Sequence, residues 1–102
     1  MGKTSTIWYV EYTDPGRDTD RVAFVKKEDA YKAAAEYVYR LAKEDLENYE
    51  FEEDDPVLEM LRDVINEFEN NSFERAFEAW DVYAGEVSSD YHVLVESIDL
   101  VK

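Results

Sequence analysis

The apolar residues of this chain change their period twice, and that change restricts the folds open to it. In TSTIWYVEYT (4–13) they alternate, with Trp8, Val10 and Tyr12 on one side and Ile7, Tyr9 and Glu11 on the other. A period of two belongs to a strand with two distinct faces. DPGRDTD (14–20) predicts a turn, because Pro15 fixes φ and Gly16 readily takes a positive φ. RVAFV (21–25) is then the returning strand of a hairpin.

From Glu28 to about Leu46 the spacing is helical, with Ala30, Ala34, Tyr37, Val38 and Leu41 on one face. Glu28 and Asp29 suit the positive first turn. Lys32, Glu36 and Arg40 are expected to pair at i,i+4 on the opposite face, giving with Lys43 a charge-balanced surface. A second helix starts at Asp55-Pro56, a capping residue followed by a proline at the first helical position. Val57, Leu58, Leu61, Val64, Ile65 and Phe68 form its apolar face. Asn70-Asn71 ends it, and Ser72 can cap a third helix whose Phe73, Ala76, Phe77, Trp80 and Tyr83 turn inward. Gly85 is expected as the stop after that helix.

YHVLVESIDLV (91–101) returns to β-branched and apolar residues, with a slip in alternation at Glu96-Ser97 that suggests a bulge or a change of face. The order is β-β-α-α-α-β. The last strand most simply joins the hairpin, giving an α+β fold in which a three-stranded antiparallel sheet carries the helices on one face. With no internal repeat and no linker, residues 1–102 read as a single domain. Ile, Leu, Val and Phe supply 25 of 102 residues. That exceeds the roughly 20% below which highly charged chains stay disordered.

Motifs for chemistry are sparse. The chain holds no cysteine, which excludes disulfides, thiolate metal sites and a cysteine nucleophile. Gly2-Lys3-Thr4 echoes the end of a phosphate-binding loop but lacks the earlier glycine and the preceding strand. His92 is the single histidine, and Ser88, Ser89 and Asp90 beside it form no known constellation. Asp14, Asp18 and Asp20 do not follow the EF-hand spacing. Among 26 acidic residues carboxylate pairs are inevitable and carry no information about acid–base catalysis. A non-enzymatic protein is expected, with no catalytic residue, cofactor or metal site. MGKTSTIWYV has no basic segment followed by an apolar one, and no apolar stretch approaches ~20 residues, so the chain reads as soluble and cytoplasmic.

Charge is the informative property. The net charge is −15, yet residues 1–43 hold 8 basic and 7 acidic residues, while residues 44–81 hold 15 acidic and 2 basic. Acidity serving solubility alone should spread over the whole surface; here it occupies one segment. The segment opens with ENYEFEEDDP (47–56). There Glu47, Glu50, Glu52, Glu53 and Asp54 surround two aromatics, Tyr49 and Phe51. It continues along two helices, as Glu59, Asp63 and Glu67 and then Glu74, Glu78 and Asp81. Carboxylates four residues apart on a helix stand roughly 5–6 Å apart. Phosphates along a nucleic-acid strand are spaced comparably, somewhat beyond their ~3.4 Å axial rise.

In size and composition the chain resembles the small acidic proteins with which phages and mobile elements block DNA- or RNA-binding host machinery, DNA mimics and anti-CRISPR proteins among them. LENYEFEEDDPVLEMLRDVINEFE and the helical carboxylate spacing carry the likeness, over about residues 44–81. Those proteins share no single fold. The resemblance implies a mode of action, occupation of a basic groove in a nucleic-acid-binding protein, in the host cytoplasm if the chain is phage-encoded. It transfers no individual residue.

The leading expectation is thus an acidic module that binds the basic surface of a protein through the thirteen positions just named. Direct binding of nucleic acid is disfavoured by the net charge, and no membrane contact is expected. Two alternatives stand beside it. The acids are then simply solvated outer faces, or a regulatory or structural module binds through its sheet face or edge, with Tyr9, Tyr91 and Val93 in contact.

Overall fold

A computed structural model describes residues 4–13, 16, 19–87 and 89–101. It contains β1 (Thr4–Thr13), β2 (Asp20–Phe24), α1 (Lys27–Asn48), α2 (Pro56–Glu69), α3 (Phe73–Val87) and β3 (His92–Val101) in that order. The expected α+β architecture is present: one antiparallel sheet in the order β2-β1-β3, with β3 beside β1. Gly16 has a φ of 73°, the left-handed backbone anticipated for the turn after β1. Asp14, Pro15 and Asp18 of the expected turn, Gly2-Lys3 of the phosphate-loop echo and Ser88 beside His92 lie outside the described residues.

Two expectations about the strands are corrected. β2 spans Asp20–Phe24, and Val25 lies beyond it, 79% exposed. β3 has no bulge at Glu96-Ser97, because its pairing with β1 runs unbroken from Thr13–His92 to Thr4–Val101. The apparent slip has another cause. Val93 and Val95 share the side of Val10 and pack on it, whereas Leu94 and Ile98 stand on the opposite side and are exposed.

The core lies between α1 and its neighbours. Ala30 and Ala34 are fully buried against Val10, with Trp8, Tyr12 and Phe24 of the sheet around them. Alanine at these positions lets the helix axis approach the sheet closely. Farther along α1, Val38, Leu41 and Ala42 meet Leu61 and Val64 of α2 and Trp80 and Tyr83 of α3. α1 is the helix whose backbone lies against the strands, while α2 and α3 pack on α1 and on each other. Burial of such large side chains contributes roughly 1.5–3 kcal/mol each.

Local chemistry explains the helix ends. Asp55 accepts a 2.9 Å hydrogen bond from the Val57 N–H and caps α2, with Pro56 following. At the other end the Asn71 N–H donates to the Phe68 carbonyl and the Ser72 N–H to the Glu67 carbonyl, with Asn71 at a φ of 61°. This pair of bonds around a left-handed residue closes a helix without loose carbonyls. The Ser72 carbonyl then accepts from the Ala76 N–H as α3 begins. Gly85 does not stop α3. It lies inside a helix that runs to Val87, and the Ser89 N–H reaches back to the Ala84 carbonyl.

The outer face of α1 also differs from expectation. Among the described residues Lys32, Glu36 and Arg40 form no ion pair within 4.0 Å; the pairs present are Arg21–Glu11 and Lys27–Glu74. The cations lie over rings instead: Lys32 at 6.0 Å from Phe73, Arg40 at 5.1 Å from Tyr37 and Lys43 at 5.1 Å from Tyr39. A ring face attracts a cation without desolvating it as a buried carboxylate would.

Candidate functional site

The acidic positions divide into two groups in space. Glu59 and Asp63 on α2, and Glu74, Glu78 and Asp81 on α3, are exposed, and Glu67 is half-buried. Arg62 and Arg75, the two basic residues of this region, form no ion pair with any of them. Glu74 is the exception among the acids, 3.6 Å from Lys27 of α1. Glu74 and Glu78 also help, after burial, to raise the pKa of the Tyr31 hydroxyl, which places α3's first acids beside the start of α1. The helical rows are therefore uncompensated except at Glu74.

The second group gathers at the loop between α1 and α2. Glu47, Glu50, Glu52, Glu53 and Asp54 are exposed, as is Tyr49 at 60%. Phe51 is half-buried against the helical core and meets the Tyr49 ring edge-on, 6.3 Å between centroids. One aromatic thus anchors the loop while the other stands in solvent.

Tyr49, Glu50 and Phe51 border a cleft of about 570 Å³ that sequence reasoning did not anticipate. That size lies within the roughly 300–1,000 Å³ usual for ligand pockets. Asp45 and Asp55 line it from the helix ends, Tyr83 and Val87 from α3, and Asp90 and Tyr91 from the approach to β3. Tyr83, whose ring is packed in the core, donates a part-buried 2.7 Å hydrogen bond from its hydroxyl to Asp45 Oδ2. Burial, and then the hydrogen bond to Asp45, push the phenol pKa well above its ordinary value, so the hydroxyl stays protonated and donating. Among the described residues no lysine, arginine or histidine lines the cleft. The one trace of it in the sequence is the pair of aromatics set among acids; the walls from α3 and the approach to β3 lie far along the chain.

The residues expected to serve a sheet-face contact are not together. Tyr9 stands on the side away from the helices, paired with Ala23 and Glu96. Tyr91 and Val93 instead pack against the helical core. The exposed apolar residues of that outer side are Leu94 at 43% and Ile98 at 44%. His92 is exposed at a shallow depression with Asp81 and Gly85. Among the described residues no three His, Cys, Asp or Glu side chains stand close enough to hold a metal ion, and no helix is long and apolar enough to cross a membrane.

Compared with protein-family models, curated proteins and solved structures, the chain matches none of them.

Proposed function

We propose that this is a non-enzymatic binding protein whose acidic helical surface occupies the basic groove of a nucleic-acid-binding protein. The observation that carries this reading is the contrast between the two ends of the charge distribution. Five cations of the first half of the chain, Arg21, Lys27, Lys32, Arg40 and Lys43, lie over rings of Trp8, Tyr9, Tyr31, Tyr37, Tyr39 and Phe73. Among the described residues the carboxylates of α2 and α3 have no cation partner, apart from Glu74. A groove lined with Lys and Arg gains from such rows as it gains from phosphates, by Coulomb steering and by release of counterions.

The test is charge reversal on α2. Glu59→Lys, Asp63→Lys and Glu67→Lys are combined, and capture of proteins from lysate is compared at low and high salt, with duplex DNA added as competitor. Capture that falls with salt, is displaced by DNA and is abolished by the triple variant supports the reading. Capture indifferent to salt, to DNA and to the reversal refutes it.

A second reading rests on Leu94 and Ile98, which are exposed on the sheet side away from the helices. A partner bound there would be lost on Ile98→Lys and retained in the α2 triple variant. Strand β3 also forms an edge of the sheet, and such edges readily pair with another strand.

A further inference from the structure

We propose that the cleft where α1 and α3 end is a receptor for an organic cation, the side chain of an arginine or lysine presented by a basic protein. The inference deepens the reading above and rests on it for the identity of the occupant.

Four features converge on a cation with an apolar stem. The first is the wall chemistry. Asp45, Glu50, Asp55 and Asp90 border the cleft, and among the described residues no basic side chain lines it or pairs with them. Tyr83 occupies one oxygen of Asp45, and the Val57 N–H one oxygen of Asp55. Glu50 and Asp90 make no hydrogen bond or ion pair among the described residues. The second is aromatic. Tyr49, Phe51 and Tyr91 add ring surface, on which a guanidinium or ammonium group and its methylenes both gain.

The third feature is the backbone. Asp45 and Tyr49 belong to the last turn and cap of α1, and Tyr83 and Val87 to the final turns of α3. Two helix C-termini, each with partial negative charge, therefore meet at the cleft, and neither has a basic residue in its last turn. The positive start of α2 lies there too, but Asp55 already caps it. The fourth is scale. The carboxylates are too dispersed to coordinate one metal ion, while about 570 Å³ accommodates a branched or extended side chain. An anion would meet four carboxylates, and a neutral apolar group would strip water from them without compensation.

The test uses the intact protein and N-acetylarginine methylamide, the side chain as a protein presents it. Binding is followed by amide chemical shifts. The expected result is saturable binding with shifts confined to residues near 45–57 and 83–91. The neutral citrulline counterpart should bind at least about ten-fold more weakly, because it lacks the cation–π and charge terms. Tyr49 and Glu50 are exposed, so Tyr49→Ala with Glu50→Gln leaves the fold intact; it should weaken the arginine probe about five-fold or more. Asp63→Asn with Glu67→Gln removes more charge about two or more helical turns beyond Asp55 and should change the affinity less than about two-fold.

Shifts spread over every acidic residue, equal effects of the two double variants, or equal binding of citrulline would each overturn the proposal. Butylguanidinium separates the sources: if it binds and the capped arginine does not, the occupant is a free small cation and a protein side chain is refused. Failure here with salt-sensitive capture intact in the cleft variant removes only the cleft. Capture indifferent to salt, to DNA and to the α2 reversal, with arginine still bound in the cleft, removes only the groove-occupying reading.

Discussion

The Tyr83 hydroxyl and the Asp45 carboxylate meet at 2.7 Å across 38 residues of chain, tying the end of α3 to the last turn of α1. The bond sits where α1, α3 and the acidic loop converge, and its donor ring is part of the helical core beside Trp80. A neutral donor on a carboxylate contributes about 1.5–3 kcal/mol when it is out of water.

Tyr83→Phe should therefore lower stability at neutral pH by about that amount while leaving the fold in place. It should also change the alkaline limb. Folding raises the Tyr83 pKa, chiefly through burial and then through Asp45, so the native state holds the phenol proton more tightly than the unfolded chain. Stability from this group is complete below the ordinary tyrosine pKa of about 10 and declines as pH climbs above it. Tyr12 and Tyr31 are shifted in the same direction, so the variant should keep part of the decline. Urea unfolding from about pH 8 to about pH 11 should show a shallower alkaline loss in Tyr83→Phe than in the parent. Identical slopes would contradict this account.

Charge repulsion along α2 makes a second expectation. Asp63 is exposed between Glu59 and Glu67, one turn away on each side, with no ion pair to any of the three. Asp63→Lys turns two repulsive i,i+4 relationships into attractive ones, each worth about 0.2–0.5 kcal/mol either way. The variant should be more stable by roughly 0.8–2 kcal/mol, and its stability should respond less to added salt than the parent's. Chemical denaturation at two salt concentrations reads both. Under the proposed function the same change should weaken partner capture, so stability and binding would move in opposite directions. A lowered stability would mean the acids are not in mutual repulsion.

How far the sequence reached depended on the range of the forces involved. Period, caps and turn residues are local, so the α+β order, Asp55-Pro56 and the Asn71 terminus were all legible. The alternation of β3 looks slipped at Glu96-Ser97 because Leu94 and Ile98 stay exposed on the outer side, although its pairing is regular. Lys32 and Arg40 were paired with Glu36 by spacing alone; rings supplied by Tyr37 and by Phe73 of α3 compete better for them. The cleft was out of reach altogether. Its walls run from Asp45 to Tyr91 and meet only because α1 and α3 end side by side.

Asp55 serves two purposes that substitution can separate. Its carboxylate caps α2 through the Val57 N–H, and it also borders the cleft. Asp55→Ala removes the cap and should cost about 1 kcal/mol, whereas Asp55→Asn keeps an accepting oxygen and should cost no more than a few tenths. Both remove the charge. If thermal unfolding ranks the two as equal, the cap is not what Asp55 contributes. If arginine binding falls equally in both, the charge rather than helix start-up is what the cleft uses.

Gly85 gives the sharpest contrast between local reading and folded geometry. As a helix stop it would take a left-handed backbone, and any side chain there would be strained. In the fold Gly16 is the glycine with positive φ among the described residues, and Gly85 continues α3 toward Val87. A methyl group added at Gly85 meets nothing within 4 Å. Gly85→Ala should then stabilise the protein by about 0.4–1 kcal/mol, through lower backbone entropy in the unfolded chain and better helix propensity. A rise in the unfolding midpoint with unchanged denaturant dependence is the expected readout. A destabilised variant would restore Gly85 as the end of α3 and shorten the helix wall that Val87 lends to the cleft.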